Sequence, residues 1–185
     1  PIYFSKRVSE AAAPGETIPS YPGLVDSLDY EVELAVILGK TIKDCPAEQV
    51  KDAIFGYTIL NDVSARNLQT RHTQWYRGKS LDKFTPMGPC IVTADAIPWP
   101  VSLLIRSYVN GELRQSSNTA NFITSIDQAL SIFSQGTTLL AGTILATGTP
   151  AGVGMGFDPP KFLKPGDVVT CEIEGIGRLE NPIGQ

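Results

Sequence analysis

Two glutamates, Glu31 and Glu33, stand two residues apart in a segment whose other members, Val32, Leu34, Ala35, Val36, Ile37 and Leu38, are apolar. In an extended strand, residues i and i+2 project to one face with Cα atoms ~6.6 Å apart. Both carboxylates, followed on that face by Ala35 and Ile37, are therefore aimed where burial is expected. At ~5 Å in an effective dielectric of ~20 they repel by ~3 kcal/mol, which a cation or a shared proton must offset. On an edge strand the same pair would simply face water. A third carboxylate decides between these readings, and Asp62 is the candidate. It ends one expected strand and precedes an expected helix, where rigid elements hold functional groups, although Asp is also among the best helix N-caps. Three carboxylates without His or Cys make an oxygen-rich site suited to Mg²⁺, Mn²⁺ or Ca²⁺ rather than zinc. Arg66, Gln69 and Lys79 follow closely and are candidates to bind a substrate carboxylate and to stabilise an enolate or oxyanion beside the ion. Their structural alternative is a solvated helix face and a loop lysine.

Other chemistries fit less well. Gly78-Lys79-Ser80 has the end of a phosphate-binding loop, but Thr73 stands where that motif needs glycine. The run 152–157 has the glycine spacing of a dinucleotide fingerprint without its final glycine or a following helix. His72 is the only histidine, no G-x-S-x-G elbow occurs, and an H-E-x-x-H pair is impossible, so serine-hydrolase and zinc-protease readings lack support. Beside Arg71 and Trp75, His72 reads as a helix-surface or pocket-wall residue rather than a base.

The elements that must position these groups follow from pattern. Residues 1–29 read as irregular, a loop or short edge strand punctuated by Pro14-Gly15, Pro19 and Pro22-Gly23. Residues 31–38 alternate as a strand with two largely apolar faces, stopped by Gly39. Pro46, Glu48, Val50, Ala53 and Ile54 predict a short amphipathic helix ending at Gly56, with a strand over 57–61 and a helix over 65–74 capped by Asp62 or Ser64. Arg66 and Gln69 would share a face of that helix. A short strand is expected at 90–93. Asn110-Gly111 between 101–109 and 113–116 is a hairpin signal. Ser125 with Gln128 reads as a capping box for a helix stopped by Gly136, and strands are expected at 144–147 and 168–173.

The 185 residues support a single domain over 1–185, and 42% hydrophobic against 18% charged residues excludes disorder or a fibrous repeat. Glycine and proline total 31 residues, so many turns and short strands follow. A net charge of −4 argues against nucleic acid and anionic membrane as partners. The longest charge-free stretch, 128–157, is broken by Ser, Gln, Gly, Thr and Pro and is no membrane span. Cys45, Cys90 and Cys171 are odd in number and far apart, which fits a reducing cytoplasm rather than a disulfide framework. The chain opens on Pro1 without a signal-peptide pattern, and trimming at its start is expected.

Several blocks, in order, resemble the fumarylacetoacetate hydrolase family in its shorter acylpyruvase-like branch. They are Asp29-Tyr30-Glu31-Val32-Glu33-Leu34-Ala35-Val36, Asn61-Asp62-Val63-Ser64-Ala65-Arg66-Asn67-Leu68-Gln69, Gly78-Lys79-Ser80-Leu81-Asp82, Pro86-Met87-Gly88-Pro89, Thr147-Gly148-Thr149-Pro150-Ala151-Gly152-Val153-Gly154 and Leu163-Lys164-Pro165-Gly166-Asp167. The resemblance implies an α+β, mainly β fold, a mixed β-sandwich roll with a few short helices, commonly a homodimer. It implies Mg²⁺ or Mn²⁺ on Glu31, Glu33 and Asp62. Arg66, Gln69 and Lys79 look like substrate contacts, Gly148 and Thr149 like part of a carboxylate-binding loop, and Lys79 and Asp62 like catalytic groups. An ion chelated by the 1-carboxylate and 2-oxo group of a small 2-oxo or dicarbonyl acid would stabilise the enolate formed by C–C cleavage, decarboxylation or tautomerisation. The expectation is a cytoplasmic Mg²⁺-dependent enzyme hydrolysing an acylpyruvate-type C–C bond. Its rivals are an oxaloacetate decarboxylase, an enol-keto tautomerase or a hydroxymuconate-type isomerase at the same site, and a metal-binding module without turnover. Hydrolytic members resemble one another in a His and a Glu on a lid upstream of the region matching Pro1, so what precedes Pro1 bears on the choice.

Overall fold

The computed structural model describes residues 1–71 and 73–185. In chain order its strands are β1 (Ile18–Pro19), β2 (Leu28–Asp29), β3 (Val32–Leu38), β4 (Ile54–Asn61), β5 (Ser64–Ala65), β6 (Met87–Thr93), β7 (Leu104–Val109), β8 (Glu112–Asn118), β9 (Ile144–Ala146), β10 (Val168–Ile173) and β11 (Gly177–Gly184). They form a five-stranded sheet ordered β1-β11-β10-β7-β8, a four-stranded sheet ordered β6-β4-β3-β9, and the small pair β2-β5. The β1–β11 pairing is parallel and the others are antiparallel, so the five-stranded sheet is mixed. The helices are short: α1 (Ala47–Val50), α2 (Arg66–Arg71), α3 (Tyr76–Lys79) and α4 (Ile126–Ser134). This is the mainly β, α+β roll that the family resemblance implies.

All seven residues of β3 are buried. Its edges are taken by β4 and β9, and its apolar face joins a core with the five-stranded sheet, in which Leu34, Val36 and Leu38 share a cluster with Ile105, Val169, Cys171 and Leu179. Burying each such side chain contributes ~1.5–3 kcal/mol, which is why the two sheets close on each other here. The hairpin falls where Asn110-Gly111 puts it, with φ of 51° and 80° at the two turn residues, the positive values that suit the twist of β7 and β8.

Several expectations need correction. The helix expected to run to Gly56 ends in a 3₁₀ turn at Ala53, and β4 already begins at Ile54, because Ile54 and Tyr57 are drawn into the core. Neither Asp62 nor Ser64 caps α2. Ser64–Ala65 pairs with Leu28–Asp29 instead, and the helix starts at Arg66. Of the expected 65–74 helix, position 72, with His72, lies outside the described residues. Ser125 makes no side-chain cap. The carboxylate of Asp127 accepts from the Gln128 N–H (2.9 Å) in its place, so the capping box is not formed. The span 1–29 is mostly irregular and carries the short edge strand β1, as expected, besides β2, whereas β11, missed in the sequence, completes the larger sheet. No helix among the described residues is long and apolar enough to cross a membrane.

Candidate metal centre

Sheet pairing gathers the carboxylates. Val32 lies opposite Asn61, so the next positions, Glu31 and Asp62, face each other across the end of β3 and β4, and the Asp62 N–H donates to the Glu31 carbonyl (2.8 Å). On the other side Ala35 lies opposite Ala146, and the same alignment carried past β9 brings Gly148 to Glu33, whose Oε2 accepts from the Gly148 N–H (2.8 Å). Carboxylate oxygens of Glu31, Glu33 and Asp62 lie within 4.8 Å of one another, and all three residues are buried.

Cations surround the cluster unevenly. The Lys79 ammonium donates to Glu31 Oε2 (2.8 Å) and Asp62 Oδ2 (2.7 Å). Lys6 donates to Asp62 Oδ1 (2.5 Å) and to the Phe84 carbonyl. Arg66 reaches Glu31 Oε1 through Nη1 (2.7 Å) and Asp29 Oδ2 through Nε (2.9 Å), while Gln69 Oε1 accepts from Arg66 Nη1 (3.0 Å). Four carboxylates, counting Asp29, thus meet three cationic side chains, and Glu33 has no ion-pair partner among the described residues. Burial, reinforced by Asp62 and then Glu31, pushes the Glu33 carboxyl up to about 8. A buried carboxylate without a counter-charge is the group a dication would satisfy, and the all-oxygen donor set suits a hard ion. The observed residues fit a divalent metal held by Glu31, Glu33 and Asp62.

Local sequence explains the placement of Lys79. A Cβ on Gly78 would stand 2.6 Å from the Gln69 N and 2.8 Å from the Ala65 carbonyl oxygen, so only glycine lets α3 pack this closely on the start of α2 and send Lys79 into the cluster. Lys79 is nearly inaccessible. A cavity of about 1130 Å³ opens beside the carboxylates, and the charged side chains lining it are Lys6, Glu33 and Asp62. Gly148 and Thr149 also line it, and Ile105, Phe122, Phe133 and Leu145 make its walls largely apolar. Glu31 does not line that wall, and neither do Arg66, Gln69 and Lys79, which meet the cluster through Glu31 and Asp62. The Thr149 hydroxyl is already engaged, donating to the Val32 carbonyl (2.9 Å).

A family model described as the C-terminal part of fumarylacetoacetate (FAA) hydrolase matches residues 1–184. The chain belongs to the fumarylacetoacetate hydrolase family. It is 47% identical over 184 residues to the oxaloacetate tautomerase YisK of Bacillus subtilis (strain 168), covering 100% of this chain and 61% of that protein. Among solved structures, the fumarylacetoacetate hydrolase of psychrophilic Exiguobacterium antarcticum superposes with a TM-score of 0.91 at 49% identity, covering 93% of this chain and 62% of the other. A 5-carboxymethyl-2-hydroxymuconate delta-isomerase from Mycobacterium smegmatis superposes at 0.84 with 40% identity, covering 93% and 64%. The chain therefore spans less than two thirds of the length of these relatives.

Two residues of this family member's centre escape the sequence reading. Asp29 is fully buried and accepts from the N–H groups of Tyr30 (2.9 Å), Gly154 (2.6 Å) and Met155 (3.0 Å) besides Arg66, tying the glycine-rich loop to β2. The acids at 29, 31 and 33 share one alternation, so the signal was present. Lys6 lies in the stretch read as irregular, and a lone lysine there carries no periodic or motif signal.

Proposed function

We propose that this chain carries the metal-binding, catalytic part of an enzyme acting on a small 2-oxo acid, and that its reaction is enol–keto tautomerisation or the related double-bond isomerisation. The observation that carries this reading is the buried trio of carboxylates, one of them without a cation among the described residues, beside a cavity large enough for such an acid. The names of the relatives, a tautomerase and an isomerase, support that choice of reaction. Mg²⁺ or Mn²⁺ held by Glu31, Glu33 and Asp62 would supply Lewis-acid polarisation of the 2-oxo carbonyl. The protein's own contribution is orientation and charge. The Gly148–Thr149 loop receives the substrate carboxylate at the cavity wall through the Thr149 N–H, since the Gly148 N–H and the Thr149 hydroxyl are taken by Glu33 and Val32. Lys6, on that wall, and Lys79, behind Asp62, supply positive potential where the enol oxygen gains charge. Arg66 and Gln69 act through Glu31, holding its Oε1 in place, and the apolar walls limit water around the reacting carbons.

The test is a spectrophotometric assay of enolic oxaloacetate with the full chain in Mg²⁺, in Mn²⁺ and in excess chelator. Ketonisation should accelerate with metal and return to the buffer rate with chelator. Acceleration that survives both the chelator and Glu33→Gln overturns the reading. A second reading, hydrolysis of an acylpyruvate C–C bond, is favoured by the family model itself, which describes a hydrolase. Proton NMR separates the two, since hydrolysis yields pyruvate and a second acid whereas tautomerisation yields one keto product. Carbon dioxide release would mark decarboxylation.

A further inference from the structure

Gln115 lies on β8, in the five-stranded sheet, yet its side chain serves the strand that bears the glutamates. It is fully buried. Its Oε1 accepts from the Val32 N–H (3.1 Å) and the Ser107 hydroxyl (2.8 Å), and its Nε2 donates to Thr149 Oγ1 (2.7 Å) and the Pro150 carbonyl (2.7 Å). Every hydrogen-bonding position of the amide is filled. Its orientation is unique as well, because a flipped amide would set N–H against the Val32 N–H and oxygen against the Pro150 carbonyl. Thr149, accepting from Gln115, turns its own hydroxyl hydrogen onto the Val32 carbonyl (2.9 Å). Val32, between the two glutamates, is thus clamped through both of its backbone polar groups just where β9 has ended and only the β4 side of β3 is still paired.

We propose that Gln115 is a positioning residue for substrate binding, acting through Thr149 to fix the Gly148–Pro150 loop against Glu33. The proposal rests on the reading that this loop receives the substrate carboxylate. Gln115 touches neither that carboxylate nor the metal-binding oxygens. Its loss should therefore weaken binding of a carboxylate ligand far more than binding of the ion.

The test measures two constants on the full chain. These are the Mn²⁺ dissociation constant, from the electron paramagnetic resonance of free Mn²⁺, and the dissociation constant of oxalate on the Mn²⁺-loaded protein, from calorimetry. Gln115→Glu keeps both acceptor contacts and replaces the donor with oxygen. Oxalate should bind about 10-fold or more weakly with Mn²⁺ affinity changed less than about 3-fold. If the buried acid prevents folding, Gln115→Met gives the same readout. Thr149→Val should match the effect, Thr149→Ser should restore tight binding, and the Gln115→Glu/Thr149→Val double variant should be no worse than the poorer single variant. Oxalate affinity unchanged in Gln115→Glu while Thr149→Val loses it overturns the role of Gln115 and leaves the loop reading standing. No loss in Thr149→Val overturns the loop reading, and the proposal with it. Parallel loss of oxalate and Mn²⁺ affinity, or additive losses in the double variant, would make Gln115 a general structural residue and refute the proposal.

Discussion

Two concave regions of the molecule are built around carboxylates, and they treat charge in opposite ways. A shallow depression of about 310 Å³ on the larger sheet is lined by Leu104, Glu172, Glu174 and Arg178, among others. There Glu172 pairs with Arg178 (2.5 Å) and with Arg106 (3.6 Å), and Arg178 is 65% exposed. Beside the large cavity, by contrast, Glu31, Glu33, Asp62 and Lys79 are almost wholly removed from water. On the surface, solvent balances any surplus charge, so one residue more or less matters little. In the interior the balance must be struck among the side chains themselves, and the group left over, Glu33, is held away from its ordinary ionisation. Burial combined with an unpaired acid, rather than a count of acids, separates a candidate metal centre from an ornamented surface.

Breaking the buried side of this comparison should have the largest effect. Lys79→Met leaves Glu31 and Asp62 short of a cation in the interior, and the metal-free protein should lose ~3–5 kcal/mol in urea denaturation, part of it regained with Mn²⁺. A loss below ~1 kcal/mol would put both regions on the same footing. Glu33→Gln should come next, lowering Mn²⁺ affinity by at least about 10-fold, with turnover falling alongside it in the oxaloacetate assay. Equal metal affinity in this variant would remove Glu33 from the donor set.

The unpaired acid also gives the comparison a pH axis. In the metal-free protein the Glu33 pKa rises from 4.5 to about 8 on folding, so the folded state keeps a proton that the unfolded state has released. That stabilisation is complete below about pH 4.5 and is lost as pH climbs towards about 8. Melting temperature without metal should fall over this window, and Glu33→Gln should flatten the fall. Mn²⁺ affinity should strengthen over the same window as the proton ceases to compete. The smallest effect belongs to the surface. Glu172→Gln should cost under ~1 kcal/mol, a difference that shrinks as salt is added.

Much of the centre was legible in the sequence because its logic is periodic. The i, i+2 spacing of Glu31 and Glu33 in an apolar strand announced two buried acids, and Asp62 at the close of the next strand supplied the third. The predominance of short strands followed from alternating runs and turn signals such as Asn110-Gly111, and the roll itself from the family resemblance. What could not be read depends on contacts distant along the chain. Lys6 reaches Asp62 across 56 positions, and Gln115 meets Val32 across 83. No local pattern encodes such a meeting, since each residue taken alone is an ordinary polar side chain in a strand or coil. Asp62 and Ser64 show the converse error. Their cap-like chemistry was correctly recognised, but tertiary pairing with β2 and the pull of two ammonium groups outweighed the local preference.

Because neighbouring strands, rather than one loop, bring Glu31, Glu33, Asp62 and Gly148 together, the molecule should tolerate insertions very unequally. An added residue beside the exposed Lys40 lengthens a connection and leaves the alignment of β3 with β4 alone. One residue of slippage between those strands would turn alternate side chains to the opposite face, scattering the oxygen donors while most of the hydrophobic composition stayed the same.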